Sequence, residues 1–293
     1  MKYFLASLKT LSYWRYSLFS TGALVRILSI TGGIYLLLEM LDFFNMYTRD
    51  QHGPYSIFVV LAVSIVIGVA TRRPVSRVTY KILKRDFSYE VVVGDLLDTE
   101  CHNVVISTNA TFDTDVASGL IAPGSLQGQL AHRFFNSNTA EIDRQIDLSL
   151  RGTRSAKHPT GPGKKKKYPI GTVAKLHEHG KTFFLLAMSE LNEHGNARSN
   201  VSMIDAALDK LWTYIAEKGE LGDVAIPVLG TGRGRIRLSR KKMIERIAQS
   251  FADASKERVF CNRLVIYVHP DDAAEHGVNL FEVRDYLSQS LHI

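Results

Sequence analysis

The 293-residue chain is poor in cysteine and lacks the motifs of several large functional classes. Its two cysteines, Cys101 and Cys261, are isolated in the sequence, which argues against a disulfide framework and favours a reducing compartment for the soluble part. The chain has no zinc-finger spacing, no aromatic RNP-type motif and no recognition-helix signature. Nucleic acid is therefore not expected as a partner.

Catalytic motifs and metal-ligand spacings are also missing. The sequence contains no Gly-x-Ser-x-Gly elbow and no Cys–His pairing signature, so no catalytic residue is predicted. His177, His179 and His194 flank turns, but no carboxylate or cysteine stands at a spacing that would complete a zinc site. We interpret these histidines as exposed turn residues and expect neither a metal nor a cofactor.

Charge is absent from one stretch near the N-terminus. None of the 19 residues at 53–71 is charged, and Arg72 and Arg73 end the stretch abruptly. A helix of this length, rising about 1.5 Å per residue, roughly matches a ~30 Å hydrocarbon core. The stretch begins too late in the chain for a signal peptide. It predicts a membrane-spanning helix, and the alternative is a buried helix or strand pair of a soluble core.

A second apolar segment, residues 16–38, is interrupted by Arg26 and closely followed by Glu39 and Asp42. Arg26 could extend to a membrane interface, or it could face a partner helix or a water-filled path. Together the two segments predict an N-terminal two-helix transmembrane hairpin. The alternative for this first segment is an amphipathic helix lying in the interface.

Basic residues flank the predicted hairpin on both outer sides. Lys2, Lys9 and Arg15 precede it and six Lys or Arg lie in residues 72–85, whereas the connecting loop at 42–52 holds only one arginine. The positive-inside rule then places both termini in the cytoplasm, with the hairpin in a bacterial inner membrane.

Much of the formal net charge of +7 comes from two basic clusters, at 72–85 and 164–167. This basic excess suits acidic lipid or a phosphate-bearing ligand at least as well as nucleic acid. The segment at 157–170, which contains four consecutive lysines, is predicted to be a mobile, exposed loop. A solvated face, contact with acidic lipid and closure over a phosphate all remain open for it.

From residue 86 onward, strand and helix patterns alternate. Short β-branched runs predict strands, and apolar residues at helical spacing predict helices. The strands are expected at 89–93, 103–108, 171–177, 181–187, 223–229 and 263–269, and the helices at 199–218, 239–254 and 279–291. This order implies an α/β domain with a mixed, mostly parallel sheet between helices. We therefore divide the chain into a transmembrane hairpin with a basic linker at 1–85 and an α/β domain at 86–293.

The first candidate binding segment is a strand that ends in a turn with an acid, residues 91–96 (VVVGDL). Ligands on parallel sheets bind beyond the carboxyl ends of strands. The Asp95 carboxylate could accept a hydrogen bond from the amino group of a base, and the Leu96 N–H could donate to the ring. The alternative for Asp95 is a helix N-cap or turn residue.

The second candidate segment is a strand that opens into a glycine-rich loop, residues 226–234 (IPVLGTGRG). Glycine permits positive φ and close backbone approach, so successive N–H groups can converge on phosphate oxygens. The loop is not of the Walker type, because no Gly-Lys-Ser/Thr follows. The candidate ligand contacts are Pro227, Leu229, Gly230, Thr231, Gly232, Arg233 and Gly234.

Polar residues between these two segments could complete a binding site. Asn109 at a strand end could bind a ribose, and Phe112 could stack on a ligand or fill the core. Residues 118–128 would then form a first loop around a diphosphate. Its candidate contacts are Ser118, Gly119, Leu120, Ser125 and Gly128.

The Gly-Asp-hydrophobic turn at 94–96 and the Ile-Pro-Val-Leu-Gly-Thr-Gly run at 226–232 resemble the two ends of the ADP-ribose cleft of macro domains. With the two-helix leader, the whole layout resembles the membrane-bound macro-domain effectors of type II Thoeris anti-phage systems. The macro-domain resemblance covers roughly residues 87–293. The loop at 118–128 departs from the family, because its usual glycine cluster is reduced to Gly119, Gly124 and Gly128.

This resemblance implies a role in anti-phage defence. A partner TIR-domain enzyme would consume NAD and release histidine-ADP-ribose. The macro domain would bind that signal, and the membrane segments would assemble into a homo-oligomer that damages the bilayer. The alternatives are a membrane-tethered ADP-ribosyl hydrolase that uses Asn109 to position a water, and a scaffold whose macro fold has lost its pocket.

Overall fold

A computed structural model describes residues 2–44, 46, 55–72, 75–81, 87–157, 163–219, 221–230, 236, 238–280, 282, 283 and 287. The chain divides into two compact units. The first, here called the helical unit, comprises Met1–Val75 and Ala273–Asp285. The second, here called the sheet unit, comprises Ser76–Asp272 and Tyr286–Ile293.

The described N-terminal part of the helical unit forms α1 (Lys2–Leu8), α2 (Leu11–Phe19), α3 (Thr21–Phe43) and α4 (Ser56–Ala70). Within the described residues, α3 alone is long and apolar enough to cross a bilayer. The 15 residues of α4 give a helix of about 22 Å, which is shorter than a ~30 Å hydrocarbon core. The expected connection at 42–52 lies mostly outside the described residues, so the structure supports one candidate spanning helix rather than a complete hairpin.

The first apolar segment does not form a single helix from residue 16. Ser20 has extended backbone angles, and its hydroxyl accepts a hydrogen bond from Ala23 N at 3.2 Å. This N-cap separates α2 from α3. Helix α3 then runs to Phe43, past Glu39 and Asp42, so its two acidic residues lie near its C-terminal end and Arg26 lies near its start.

Helices α3 and α4 contact each other, and their outward faces are apolar. A Cβ at Gly68 would lie 3.0 Å from Cγ1 of Ile27, so the glycine permits the close approach of the two helices. Large apolar side chains remain exposed on both helices, among them Leu24, Leu28, Leu36, Ile57, Phe58 and Val66. Exposure of this kind suits a hydrocarbon environment.

Residues near the C-terminus also belong to the helical unit. Asn279 Nδ2 donates to the Thr10 hydroxyl, and Val278, Leu280 and Val283 are buried. The helix predicted at 279–291 falls largely outside the described residues. Of those that are described there, Asn279 is not helical, whereas residues 280, 282, 283 and 287 are.

Within the described residues, the sheet unit contains ten strands and four complete helices, and a fifth helix begins in it and ends in the helical unit. Its strands are β1 (Arg77–Lys81), β2 (Ser88–Val93), β3 (Asn103–Asn109), β4 (Ala156–Lys157), β5 (Lys166–Lys167), β6 (Val173–Glu178), β7 (Lys181–Leu191), β8 (Ala197–Arg198), β9 (Asp223–Pro227) and β10 (Arg263–Val268). Its helices are α5 (Leu126–Phe135), α6 (Thr139–Ser149), α7 (Val201–Lys218), α8 (Arg240–Glu257) and α9 (Pro270–Glu275), with a 3₁₀ turn at Leu96–Asp98.

The main sheet has the strand order β1-β2-β10-β9-β3-β7-β6, and β8 extends it by pairing with β7. Strands β2, β10, β9, β3 and β7 are parallel, whereas β1 and β6 pair antiparallel at the two edges. Val104, Val105 and Ile106 of the central strand β3 are all fully buried, so helices cover both faces. The predicted mixed, mostly parallel sheet between helices is confirmed.

Part of the expected basic linker is a strand of this sheet. Strand β1 pairs with β2 over five positions, and Tyr80 stacks on Tyr89 at 4.8 Å between ring centroids. Arg77 of β1 also forms an ion pair at 2.9 Å with the buried Glu90, which Arg263 contacts at 3.2 Å. The sheet unit therefore begins at Ser76 rather than near residue 86.

Candidate functional site

A large cavity of about 1390 Å³ lies at the carboxyl ends of the parallel strands. Its wall takes residues from the ends of β2, β10, β9, β3 and β7. Four steps between neighbouring strands, each about 4.8 Å, make this row of strand ends about 19 Å long. The cavity therefore suits an elongated ligand, at the position where doubly covered parallel sheets bind ligands.

Half of the residues predicted from sequence to bind a ligand line this cavity. They are Leu96, Asn109, Ser118, Gly119, Leu120, Ser125, Pro227 and Gly230. Phe112, Gly128 and Leu229 are buried beside it, and Asp95 does not line it. Thr231, Gly232, Arg233 and Gly234 lie outside the described residues, so the structure gives no account of their predicted contacts.

Asp95 holds the turn at one end of the cavity. Its Oδ1 accepts from Leu97 N at 2.9 Å, which caps the 3₁₀ turn, and its Oδ2 accepts from Arg133 Nη1 at 2.7 Å. The hydrogen bond that Arg133 donates to Asp95 raises the pKa of Arg133. The capping alternative for Asp95 is thus present in the structure. Binding of a base by this residue stays a prediction.

The wall beside Asp95 is formed by residues that the sequence did not single out. The Tyr267 ring lies 3.6 Å from the position a Cβ would take at Gly94, and its hydroxyl donates to Thr99 Oγ1 at 3.1 Å. Tyr267 lies near the end of β10 and His269 directly follows the strand, and both line the cavity. The sequence signal for these two residues was their position at the carboxyl end of the strand predicted at 263–269.

Asn109 presents a hydrogen-bond donor to the cavity. Its Oδ1 accepts from the backbone N–H groups of Thr111 at 3.1 Å and Asp113 at 3.2 Å. Two backbone donors identify this atom as the oxygen, so the other amide atom is Nδ2. Because Asn109 lines the cavity, its Nδ2 can donate to a ligand oxygen such as a ribose hydroxyl.

A partly buried polar network supports the turn that follows Asn109. Lys164 N donates to Asp113 Oδ1 at 2.6 Å, and Lys164 Nζ donates to Asp143 Oδ1 at 2.6 Å and to the Phe112 carbonyl at 2.8 Å. Phe112 has a φ of +51° and packs edge-on against Tyr168 in the core. Lys164, the first of the four lysines, is therefore anchored to the binding region rather than solvated.

The N-terminus of α5 offers an anion-binding surface. Ser125 caps the helix by accepting from Gly128 N at 3.1 Å. Within the described residues, no hydrogen bond is formed by the N–H groups of Leu126 and Gln127, and both residues line the cavity. Unsatisfied N–H groups and the helix dipole favour negative charge at such a position.

In the loop before α5, three backbone N–H groups donate hydrogen bonds to acceptors of the same loop. Ser118 N donates to Asp115 Oδ1 at 3.0 Å, Gly119 N to the Val116 carbonyl at 3.1 Å, and Ile121 N to the Asp115 carbonyl at 3.0 Å. The hydrogen bonds from Ser118 lower the pKa of Asp115. Donors for a phosphate are therefore located at the helix start, a few residues later than the first part of the predicted loop.

Gly128 is required by packing in the first turn of α5. A Cβ at this position would lie 2.3 Å from the Ala122 carbonyl oxygen and 2.7 Å from that of Pro123. The glycine lets the helix start lie directly against the preceding loop. Gly230, on the opposite wall, has a φ of +70°, and a Cβ there would lie 2.5 Å from Cδ1 of Ile236.

A hairpin formed by β7 and β8 builds the far end of the cavity, and sequence reasoning missed it. Strand β7 continues to Leu191, past its predicted end at 187, and Glu190 lies opposite Arg198. Asn192 Oδ1 accepts from the N–H groups of His194 at 3.0 Å and Asn196 at 2.8 Å, which closes the turn. The turn residues Asn192 and Gly195 were a signal for this hairpin.

Both carboxylates that line the cavity are held in ion pairs. Glu190 pairs with Lys167 at 2.9 Å, and Asp272 of α9 pairs with Arg240 at 2.6 Å. Arg240 is the first residue of α8, so Asp272 fixes the helix that follows the glycine-rich loop. Across the described parts of the chain, no group of three His, Cys, Asp or Glu side chains could hold a metal ion.

Comparison with known proteins identifies related sequences. A family model described as the macro domain of Thoeris protein ThsA matches residues 89–269, more than half of the chain. Thoeris protein ThsA of Bacillus amyloliquefaciens (strain Y2) is 30% identical over 148 residues, which are 49% of this chain and 48% of that protein. The match thus spans about half of the relative's length.

Solved structures with a similar chain trace are macrodomains. The Oceanobacillus iheyensis macrodomain with ADP is 14% identical, with a TM-score of 0.48, over 74% of this chain and 97% of its own. The Trypanosoma brucei macrodomain in complex with ADP-ribose is 9% identical, with a TM-score of 0.41, over 64% of this chain and 67% of its own.

Proposed function

The chain belongs to the family of Thoeris protein ThsA macro domains, and on that premise we propose that it is a membrane-anchored sensor of an ADP-ribose-type nucleotide. The nucleotide occupies the cavity at the strand ends, with its base near Asp95 and Leu96 and its diphosphate at the start of α5. Its distal ribose accepts a hydrogen bond from Asn109. The structures of macrodomains with ADP and ADP-ribose support this ligand class.

The observation that carries the proposal is the row of donors along one elongated cavity. Asn109, Leu126 and Gln127 all line this cavity, and the Asn109 Nδ2 and the N–H groups of Leu126 and Gln127 form no hydrogen bond within the described residues. A ribose and a diphosphate present acceptor oxygens, so their hydrogen-bonding polarity is complementary to these donors.

Several features favour binding over hydrolysis. The Asn109 oxygen already accepts three hydrogen bonds within its own turn, so it is not open to accept one from an attacking water. Glu190 and Asp272, the carboxylates of the described cavity wall, are both ion-paired. A general base must be able to accept the proton that it removes. The ADP-ribosyl hydrolase is therefore the second candidate.

A titration of the full-length chain in detergent with ADP-ribose tests the site. Asn109→Asp keeps the oxygen that accepts from Thr111 and Asp113 but replaces the donor with a negatively charged acceptor. We expect affinity to fall by about tenfold or more, since the amide donor is lost and a negative charge is added to the cavity proposed to hold the diphosphate. Asn138→Asp makes the same chemical change at the N-cap of α6, which accepts from Glu141 N, and should leave affinity unchanged.

The outcomes of that titration separate the candidates. Equal affinity of wild type and Asn109→Asp would remove Asn109 from the site. Release of ADP-ribose from an ADP-ribosylated protein by the wild-type chain would establish the hydrolase instead. Absence of binding in all three proteins would support a scaffold whose pocket is not used.

The remaining steps follow the family resemblance. The signal is histidine-ADP-ribose made from NAD by a TIR-domain enzyme, and ligand binding favours a homo-oligomer whose membrane segments damage the bacterial inner membrane. A ligand can drive such assembly only through a higher affinity for the assembled state. The exposed apolar faces of α3 and α4 support insertion. A hairpin in which α4 also crosses the bilayer would leave both termini and the macro domain in the cytoplasm.

Dye release from lipid vesicles tests this effector function. The reconstituted full-length chain should release dye after addition of histidine-ADP-ribose, and the Asn109→Asp variant should not. Tight ligand binding without dye release would leave the sensor intact but refute membrane disruption. A comparison of ADP-ribose with histidine-ADP-ribose in the binding assay tests the identity of the signal separately.

A further inference from the structure

A second polar cavity, of about 290 Å³, lies in the helical unit where the start of α3 meets the end of α4. Its wall consists of Tyr16, Gly22, Arg26, Thr71 and Arg72. Two guanidinium groups therefore face one small space. None of these residues contributes to the nucleotide cavity at the strand ends.

Arg72 is held in place by part of its guanidinium group. Its Nη1 donates to the Tyr16 carbonyl at 3.1 Å and to the Ser20 hydroxyl at 2.8 Å, and its Cζ lies 3.9 Å from the centre of the Tyr16 ring. Within the described residues, Nη2 forms no hydrogen bond, and it lies 3.6 Å from the position of a Cβ at Gly22. Gly22 thus leaves space beside a pre-oriented donor.

The guanidinium group of Arg26 forms only long hydrogen bonds within the described residues. Its Nη1 lies 3.4 Å from the Thr71 carbonyl and 3.5 Å from the Thr71 hydroxyl, both long for hydrogen bonds. In the described part of the chain, neither Arg26 nor Arg72 forms an ion pair with a carboxylate. The next acid along α3, Glu39, is about 20 Å away along the helix axis.

Two cations that share a cavity without a counter-charge repel each other unless an anion lies between them. Guanidinium groups bind phosphate oxygens through paired N–H donors, which is the geometry that Nη2 of Arg72 and the outer nitrogens of Arg26 provide. The cavity lies beside the apolar helix α3, at the end where the basic residues Arg15 and Arg72 are found. This is the region that acidic lipid headgroups occupy on the cytoplasmic side of a membrane.

We infer that the cavity between Arg26 and Arg72 is a binding site for a phosphate ester, supplied by the headgroup of an acidic phospholipid. The bound phosphate bridges the start of α3 and the end of α4 and so joins the two apolar helices at their cytoplasmic end. This inference rests on the membrane attachment proposed above but is independent of nucleotide binding.

The test measures phospholipid retained by the full-length chain after extraction from vesicles of phosphatidylcholine and phosphatidylglycerol, with mass spectrometry of the intact complex. Wild type should retain phosphatidylglycerol selectively. Arg26→Gln should reduce that retention by about tenfold, because a hydrogen bond to a charged group is lost. Arg15→Gln removes the same charge from an exposed position of α2 outside the cavity and should have little effect.

A variant that keeps both arginines tests whether the shape of the cavity, and not only its charge, is needed for lipid retention. Gly22→Leu fills the cavity beside Arg72 and should also abolish selective retention. Equal losses in Arg15→Gln and Arg26→Gln, or unchanged retention in Gly22→Leu, would overturn the site. Displacement of the lipid by millimolar inorganic phosphate would assign the same site to a free phosphate instead.

Flotation with the vesicles separates this inference from the proposed function. All variants should float, because α3 remains intact in each. Failure of the wild-type chain to float would refute membrane attachment and, with it, the lipid as the source of the phosphate. Selective loss of phosphatidylglycerol from a variant that still floats would support the site itself.

Discussion

At the scale of single residues, the polarity of a side chain decides what the cavity can recognise. The position of Asn109 at a strand end could be predicted from sequence, but its role as a donor could not. That role depends on two backbone N–H groups that occupy its oxygen. Phe112 shows the same limit, because only the fold distinguishes the ligand face from the core, where it packs against Tyr168.

Gly128 gives the first prediction at this scale. Alanine has the better helix propensity by about 1 kcal/mol. At Gly128, however, a Cβ would meet two backbone carbonyl oxygens at 2.3 and 2.7 Å, and overpacking of this kind costs about 1–3 kcal/mol. We expect Gly128→Ala to lower the thermal unfolding midpoint of the full-length chain in detergent. Gly124→Ala, which has open space for its Cβ, is the control and should not lower it.

Cys261 gives a prediction for alkaline pH. Burial raises the pKa of its thiol to about 12, and burial also raises the pKa of Cys101. A thiol in the unfolded chain ionises near pH ~8.5. The stability that Cys261 contributes is therefore fully present below about pH 8.5 and is lost progressively as the pH rises towards 12.

Two measurements check this pH dependence. Ellman's reagent at pH 8 should label both cysteines only after denaturation, since the neutral thiol is unreactive. The unfolding midpoint of Cys261→Ala should fall less between pH 8 and 10.5 than that of wild type. Rapid labelling of the native protein would contradict the inferred burial of these thiols.

At the scale of elements, the start of α5 joins helix capping to anion binding. Ser125→Asp should preserve the helix, because aspartate is an equally good N-cap. It also places a negative charge beside the N–H groups of Leu126 and Gln127, where the diphosphate is proposed to bind. We expect affinity for ADP-ribose to fall by about tenfold or more.

Both the thermal unfolding midpoint and the affinity for ADP-ribose are needed to interpret the Ser125→Asp variant. Asn138→Asp, at the N-cap of α6, serves as the control for an added charge at a helix start and should change neither quantity. A Ser125→Asp protein with normal stability and normal affinity would place the diphosphate elsewhere in the cavity.

Element prediction succeeded where a pattern was strong and local. The helix predicted at 199–218 is α7 at Val201–Lys218, and the helix predicted at 239–254 is α8 at Arg240–Glu257, capped by Ser239, which accepts from Lys242 N. Strand β1 was missed because its sequence is highly charged, and only Val78 and Tyr80 mark its inward face. Helices α5 and α6 were missed because each is short, at 10 and 11 residues, and polar residues interrupt its apolar ones.

At the scale of the whole molecule, the sequence predicted the kinds of region but not their boundaries. An apolar N-terminal region and a macro domain were both expected, and the macro domain is confirmed by the family match. The break at Ser20 depends on one hydroxyl that caps Ala23 N, which a hydropathy pattern does not reveal. The transfer of Ala273–Asp285 to the helical unit depends on tertiary contacts such as that between Asn279 and Thr10.

That transfer bears on how such proteins can be rebuilt. The backbone passes between the two units after Val75, after Asp272 and after Asp285. A gene fusion that exchanged the anchor at a single junction near residue 75 would leave Val278, Leu280 and Val283 facing foreign helices. Chimaeras with a new anchor would therefore need a matching graft near the C-terminus, so the two ends of the gene are expected to diversify together.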